Sequence, residues 1–169
     1  MQHTITSERL EDRCFRDILL NLVPGLPPAA ASSLSCAPEL RNYGIGDLII
    51  REGEPSEGIF LLISGIAQTS ISKNGLQTKQ VSLHQISAPA VLGLAGTMLA
   101  QPSTVTISAL KAAETAFISR AQFLQVLAQF PQAGLAFSQL IATELAHTYS
   151  HLSQLRGSPR MGSASAPAR

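Results

Sequence analysis

The sequence predicts a mainly β fold with flanking helices, and two observations carry this prediction. Residues 40–119 contain short runs of β-branched and apolar residues that are separated by turn residues, which is typical of strands. Residues 8–35 and 120–156 instead repeat their apolar residues at helical spacing. Short strands that follow one another in this way indicate a sandwich or a barrel.

Six runs in the middle segment are predicted strands. They are Asp47–Arg51, Ile59–Ser64, Ile66–Ser72, Thr78–Ile86, Thr104–Leu110 and Thr115–Ser119. Asn74-Gly75 lies between two of these runs and is a strong hairpin signal. The fifth run alternates polar and apolar residues. It therefore predicts Val105, Ile107 and Ala109 on one face and the hydroxyl groups on the other.

The N-terminal segment, residues 1–39, is predicted to hold two helices. Ser7 is a candidate cap for the first helix, and Pro24-Gly25 would end it. Pro27-Pro28 would begin a second short helix that runs to Leu34, since proline is tolerated in a first helical turn.

Helical periodicity returns after the strands. Ser119 and Gln122 form a capping box at the start of a helix. The β unit with this helix is expected to cover residues 40–131, and residues 132–156 are predicted to form one long helix. Residues 157–169 offer little for a core and are predicted to be a disordered tail.

The long helix carries the a/d pattern of a coiled-coil seam. The members of this stripe recur at alternating spacings of four and three: Ile141, Leu145, Thr148, Leu152 and Leu155. The pattern spans only two heptads and includes one threonine. Two interpretations remain open: the stripe joins two copies as a homodimer, or it packs on the chain's own β unit.

Composition limits the classes of partner. The formal net charge is +1, so the chain lacks the basic field of an ordinary DNA-binding domain. The longest apolar run, residues 88–100, is short and is broken by Pro89, Gly93 and Gly96, which argues against a membrane span. The polar N-terminus is unlike a secretory leader, and two cysteines fit a reducing compartment. We therefore expect a soluble cytoplasmic protein with no membrane partner.

The residues that could carry chemistry are few. His147 and His151 lie four apart on the long helix and could share zinc or make a pH-sensitive dimer contact, although a solvated helix flank is the simpler interpretation. His84 alone does not make the histidine cluster of a cupin-type enzyme. Cys14 and Cys36 lack a metal-type spacing. We predict no catalytic residue, no metal and no cofactor.

One order of features is informative as a whole. It begins with Gly46-Asp47 at the start of a strand, a turn at residues 52–54, and the apolar strand 59–63, which is followed by Gly65. The Asn74-Gly75 hairpin comes next, and then Gly93 before a short helical stretch. Two strands and then helices complete the order. This order resembles the cyclic-nucleotide-binding domain of Crp/Fnr-type regulators and protein-kinase regulatory subunits. The resemblance implies an RmlC-like double-stranded β-helix, or jelly roll, with a long C-terminal helix that forms dimers.

The chain departs from that family at the ligand site. In the family, a Gly-Glu pair opens the phosphate-binding cassette, and an arginine followed by a small residue closes it. Here Gly93 is kept, but Leu94 stands in the glutamate place, Ser103 in the arginine place and Thr104 in the small-residue place. Residues 80–110 contain no lysine or arginine, so we expect no cation inside the roll and weak binding of a cyclic phosphate.

The candidate ligand-binding residues that follow from this resemblance form a degenerate cassette: Gly93, Leu94, Ala95, Ser103 and Thr104. Together with Met98 and Leu99 they could line an apolar site for a neutral small-molecule effector. The alternative is that they only fill the core. The glutamates at positions 52, 54 and 57 are expected to be a solvated loop or a surface for a basic partner.

The expected function is that of a non-enzymatic regulatory or sensor domain in signal transduction. DNA-binding relatives continue into a helix-turn-helix after the long helix. Here the sequence after residue 156 has no such pattern, so direct DNA binding is not expected. Two alternatives stay open: a truncated Crp/Fnr-type regulator that acts by mixed dimerisation, and a domain that still binds a cyclic nucleotide weakly.

Overall fold

The computed structural model describes residues 15–36, 38–73 and 76–156. Its helices are α1 (residues 15–22), α2 (Pro28–Leu34), α3 (Leu94–Leu99), α4 (Arg120–Gln129) and α5 (Pro131–Arg156). Its strands are β1 (Glu39–Tyr43), β2 (Leu48–Ile50), β3 (Gly58–Ser64), β4 (Ile66–Lys73), β5 (Leu76–Ser87), β6 (Ala90–Leu92), β7 (Thr106–Ala109) and β8 (Ala113–Ser119). The prediction of a mainly β fold with flanking helices is confirmed. The predicted cap at Ser7, the Asn74-Gly75 turn and the predicted tail lie outside the described residues.

The strands form two four-stranded antiparallel sheets, with the orders β1-β8-β3-β6 and β2-β7-β4-β5. All six predicted strands are present, with ends that move by up to two residues. Sequence patterns missed β1 and β6. Three of the five residues of β1 are polar, and β6 has only three residues, so neither shows an alternation long enough to recognise.

Strand β3 separates two apolar layers, because successive side chains of a strand point to opposite faces. Phe60 and Leu62 point between the two sheets, into a cluster called here the roll interior. Its other buried members are Ile49, Ala67, Leu92, Ile107, Ala109, Ala113 and Phe117. Ile59 and Leu61 point the other way, into an outer cluster that the helices cover.

The outer cluster fixes the helices on the first sheet. Leu19 of α1 and Leu34 of α2 are almost fully buried in it. Phe123 of α4 and Phe137 of α5 meet edge to face, with ring centroids 5.0 Å apart. This contact joins the last two helices, which the chain separates at Pro131 as the sequence predicts.

Half of the predicted capping box at the start of α4 is formed. The Ser119 hydroxyl accepts the backbone N–H of Gln122 at 3.3 Å. The Gln122 side chain does not reach back to Ser119. It donates instead to the Cys36 carbonyl at 3.4 Å, because the segment after α2 passes beside α4.

The alternation predicted around β7 is present, but its polar face is covered. Ile107 and Ala109 lie in the roll interior, and Val105 packs against it. Thr106, on the opposite face, is also buried, and its hydroxyl accepts the backbone N–H of Glu52 at 3.2 Å. The chain that follows β2 therefore covers the hydroxyl side of this strand.

Candidate ligand-binding site

Gly93 connects β6 to α3 in a conformation that favours glycine. Its φ angle is +77°, in the left-handed region. A Cβ at this position would lie 2.9 Å from Ile50 Cδ1 and 3.2 Å from the Gly58 carbonyl oxygen. The glycine therefore allows β6, α3 and the start of β3 to approach closely.

Helix α3 is held on two sides through Thr97. The buried Thr97 hydroxyl lies 2.7 Å from the Gly58 carbonyl oxygen and 2.8 Å from the Gly93 carbonyl oxygen, so it donates within the turn or across to β3. Arg120 Nε donates to the Thr97 carbonyl at 3.0 Å. These contacts tie the short helix to both β3 and α4.

The side chains of α3 do not gather around one pocket. Leu94 is only 4% exposed and packs in the outer cluster, and Met98 packs against the same cluster. Ala95 is exposed, and Leu99 is 66% exposed. The apolar lining considered from the sequence is therefore not assembled by these four residues.

Ser103 and Thr104 lie on a loop that hydrogen bonds to the chain after β2. The Ser103 backbone N–H donates to the Glu54 carbonyl at 2.9 Å, and its carbonyl accepts the Gly53 N–H at 2.8 Å. The Ser103 hydroxyl donates to the Val105 carbonyl at 2.7 Å. Thr104 is exposed. Residue 103 is thus fixed beside residues 53–54, and its hydroxyl bonds within its own loop.

A cavity of about 300 Å³ opens at the edge of the roll interior, between β1, β2 and the residues that lead into β3. Its charged lining residues are Arg41, Arg51, Glu54 and Glu57, and Phe60 contributes to its apolar wall. The two arginines lie outside the cassette sequence, on β1 and directly after β2, and they reach the edge of the roll. Sequence analysis missed these residues, since only strand pairing brings their segments together. The expectation that no cation lies inside the roll to meet a cyclic phosphate stays a prediction.

Arg41 is the most tightly fixed cation of this cavity. Its guanidinium carbon lies 3.8 Å from the ring centroid of Phe117 and 5.6 Å from that of Phe60. Nε and Nη2 each donate to one Glu39 carboxylate oxygen at 3.0 Å. Hydrogen bonding to Arg41 lowers the pKa of Glu39 below its ordinary value, and the same bond raises the pKa of Arg41.

The roll interior also holds two buried hydroxyls. Thr69 is paired across the sheet with Ile107, and Thr115 with Leu62; both partners belong to the roll interior. Directly opposite residues of a ladder point to the same face, so both threonines face inward. Within the described part of the chain, neither hydroxyl has a hydrogen-bond partner.

The predicted stripe on α5 is described only in its first part. Ile141 packs against the outer cluster, as the intramolecular interpretation requires. Leu145, one turn later, is 52% exposed. The side chains of Thr148, Leu152 and Leu155 lie outside the described residues, as do those of His147 and His151.

The described residues contain no group of three metal-ligating side chains, and His84 is exposed. None of the described helices combines the length and the apolar character that crossing a bilayer requires.

Comparison with known proteins identifies one family model. The model described as "Cyclic nucleotide-binding domain" matches residues 40–130, which is more than half of the chain. No curated protein sequence matches.

Solved structures share the fold at low sequence identity. A cyclic nucleotide-binding domain from Methylobacillus flagellatus has a TM-score of 0.73 and 16% identity, with 89% of this chain and 88% of that chain covered. The regulatory subunit of a cAMP-independent protein kinase A from Trypanosoma brucei has a TM-score of 0.70 and 19% identity, with coverage of 88% and 53%. The catabolite activator protein of Thermus thermophilus has a TM-score of 0.66 and 20% identity, with coverage of 80% and 62%. The chain thus spans less than two thirds of the latter two proteins.

Proposed function

Because the chain belongs to the family of cyclic nucleotide-binding domains, we propose that it is a non-enzymatic regulatory domain whose phosphate-binding cassette is degenerate. The observation that carries the proposal is the placement of Leu94 and Ser103. These residues stand where the family resemblance puts the glutamate and the arginine. Leu94 is buried among apolar side chains, and the Ser103 hydroxyl is bound to its own loop.

The energetic argument concerns the cyclic phosphate. An arginine offers a phosphate two parallel charge-assisted hydrogen bonds, each of which contributes about 1.5–3 kcal/mol. A serine supplies one neutral donor at most, and here that donor is bonded to the Val105 carbonyl. A desolvated phosphate without a cation partner is costly. We therefore expect the cassette to bind cyclic AMP or cyclic GMP weakly or not at all.

A regulatory role without tight cyclic-nucleotide binding has a structural parallel. One neighbour in fold is described as the regulatory subunit of a cAMP-independent kinase. We propose that this chain acts by binding a different effector or a protein partner in the cytoplasm. The net charge of +1 argues against direct DNA binding by this chain.

We also propose a homodimer through the second half of α5. Ile141 marks the last stripe position that packs on the outer cluster, and Leu145 is half exposed one turn later. The remaining stripe positions continue the same a/d spacing along the helix backbone. A seam that starts near Leu145 would leave the core contact of Ile141 intact.

Calorimetry with cyclic AMP tests the cassette proposal. The wild-type chain is expected to show no saturable heat at micromolar concentration, and Ser103→Arg is expected to gain affinity of about tenfold or more if residue 103 occupies the arginine place. Ser32→Arg, which adds the same charge on the exposed side of α2, is the matched control and should gain none. Tight binding by the wild-type chain would contradict a degenerate cassette.

A further inference from the structure

The cavity beside Arg41 combines opposite charges with an apolar wall. Arg41 and Arg51 supply two cations, and Glu54 and Glu57 supply two carboxylates. The formal charges of these four lining residues therefore cancel. A strongly anionic ligand would meet as many negative as positive groups, whereas a ligand that carries one group of each sign would find a partner for both.

The two arginines keep donors for a ligand. A guanidinium has five N–H groups. Glu39 accepts two of those of Arg41, at 3.0 Å each. Arg51 Nε lies 3.5 Å from Glu54 Oε1, and both side chains are more than half exposed. Because water screens an exposed ion pair, this one is weak. Both side chains can therefore donate further hydrogen bonds within the cavity.

Glu57 supplies the opposite charge. The backbone of Glu57 is fixed, because its carbonyl accepts the backbone N–H of Arg120 at 2.8 Å. No ion pair among the described residues uses its carboxylate. The same cavity is also lined by the side chains of Ile49, Ile50 and Phe60, which give it an apolar floor.

We propose that this cavity binds a small zwitterion with an apolar body, of the class of a free α-amino acid with an apolar side chain. The ligand carboxylate meets Arg51 and Arg41, the ammonium group meets Glu57, and the side chain lies on Ile49 and Phe60. A cavity of about 300 Å³ is at the small end of ligand sites, which suits a ligand of this size. The cavity adjoins the cassette, since Gly93 lies against Ile50 and Gly58 and Ser103 hydrogen bonds to Glu54, but its charged groups come from outside the cassette. The inference therefore deepens the proposed function, because it names the class of effector for a site beside the degenerate cassette.

The test measures the thermal midpoint of the intact chain against L-leucine, L-methionine and L-phenylalanine, followed by calorimetry. At least one amino acid should raise the midpoint in a concentration-dependent way, since a ligand of the folded state stabilises it. N-acetyl-leucine lacks the ammonium group and leucinamide lacks the carboxylate. Each should bind about tenfold more weakly or worse than L-leucine, because one charge-assisted contact is lost.

Variants locate the site. Arg51→Met and Glu57→Gln should each weaken binding by about tenfold, while their unliganded midpoints stay close to that of the wild-type chain. Arg16→Met is the control, because Arg16 pairs with its neighbour Asp17 on α1 and is not among the residues that line the cavity. Failure of all three amino acids to bind, or binding that survives both cavity variants, would overturn the inference. Equal binding of N-acetyl-leucine would show an anion site instead. Cyclic AMP that binds to the wild type and is lost in Arg51→Met would assign the cavity to a nucleotide phosphate.

Discussion

The guanidinium group of Arg41 lies over the ring of Phe117, a residue of the roll interior, with its carbon 3.8 Å from the ring centroid. The two residues belong to neighbouring strands. Glu39 is directly opposite Phe117 in the ladder, and Arg41 is its diagonal neighbour. One carboxylate and one ring therefore hold the same cation from two directions.

Arg41→Met should destabilise the chain by about 1–2 kcal/mol. The substitution keeps an apolar stem over the ring but removes the cation–π contact and both hydrogen bonds to Glu39. Urea unfolding measures the change. Arg16→Met, which loses a surface contact with Asp17, should change stability by about 0.5 kcal/mol or less. Equal costs for the two variants would mean that the ring contact adds nothing.

Stability should also fall at acid pH through Glu39. Hydrogen bonding to Arg41 lowers the pKa of Glu39 from its ordinary value of 4.5. A lowered carboxylate pKa contributes stability that is present above the pKa of the unfolded chain and is lost as the pH falls through the lowered value. Urea midpoints between pH 6 and pH 3 should therefore decline less steeply for Glu39→Gln than for the wild-type chain. Parallel curves would show that this pair does not link stability to pH.

Leu94→Glu should destabilise the fold rather than repair the cassette. Leu94 is 4% exposed in the outer cluster, so a carboxylate there would be buried without a described partner. We expect a loss of about 3 kcal/mol or more in the free energy of unfolding, partly relieved at low pH where the glutamate is protonated. Leu94→Met, of similar volume, should cost less than about 1.5 kcal/mol. A well-folded Leu94→Glu chain that binds cyclic AMP would contradict this placement of the side chain.

Thr97→Val should loosen α3. The substitution removes the hydroxyl that donates to the Gly58 or Gly93 carbonyl and keeps the shape of the side chain. The Gly93 carbonyl keeps the Thr97 backbone N–H at 3.1 Å, but the Gly58 carbonyl loses its buried hydroxyl donor, so the expected cost is about 1–3 kcal/mol by urea unfolding. Thr97→Ser retains the donor and should cost less. The reverse order would show that the methyl group, not the hydrogen bond, holds the helix.

Leu145→Asp should convert a dimer to a monomer in sedimentation. The side chain is half exposed and continues the stripe, so a charge there would be buried in the proposed seam. Leu135→Asp is the matched control, since Leu135 is 62% exposed and lies outside the stripe on the same helix. The control should keep the wild-type mass. A wild-type chain that is already monomeric would remove the proposed homodimer.

Local patterns predicted the elements that are long or sharply bounded. The alternation around Ile107, the break at Pro131 and the cap at Ser119 all follow from interactions between residues close in sequence. The strand β1 was missed because its residues are mostly polar, and its place is set by the ladder with β8. Burial of Leu94 in the outer layer likewise depends on which face of the sheet α3 covers, which no local pattern records.

The sequence by itself determined the class of fold, the order of its helices and strands, and the absence of lysine and arginine from the cassette, because these depend on neighbouring residues and on composition. The tertiary structure alone decided that Arg41 and Arg51 meet Glu54 and Glu57 around one cavity. Arg51, Glu54 and Glu57 are close in sequence, but Arg41 comes from β1, and the pairing of β1 with β8 and of β2 with β7 sets its distance from the other three. Long-range pairing of this kind depends on the packing of the two sheets, which the sequence pattern of one strand does not encode.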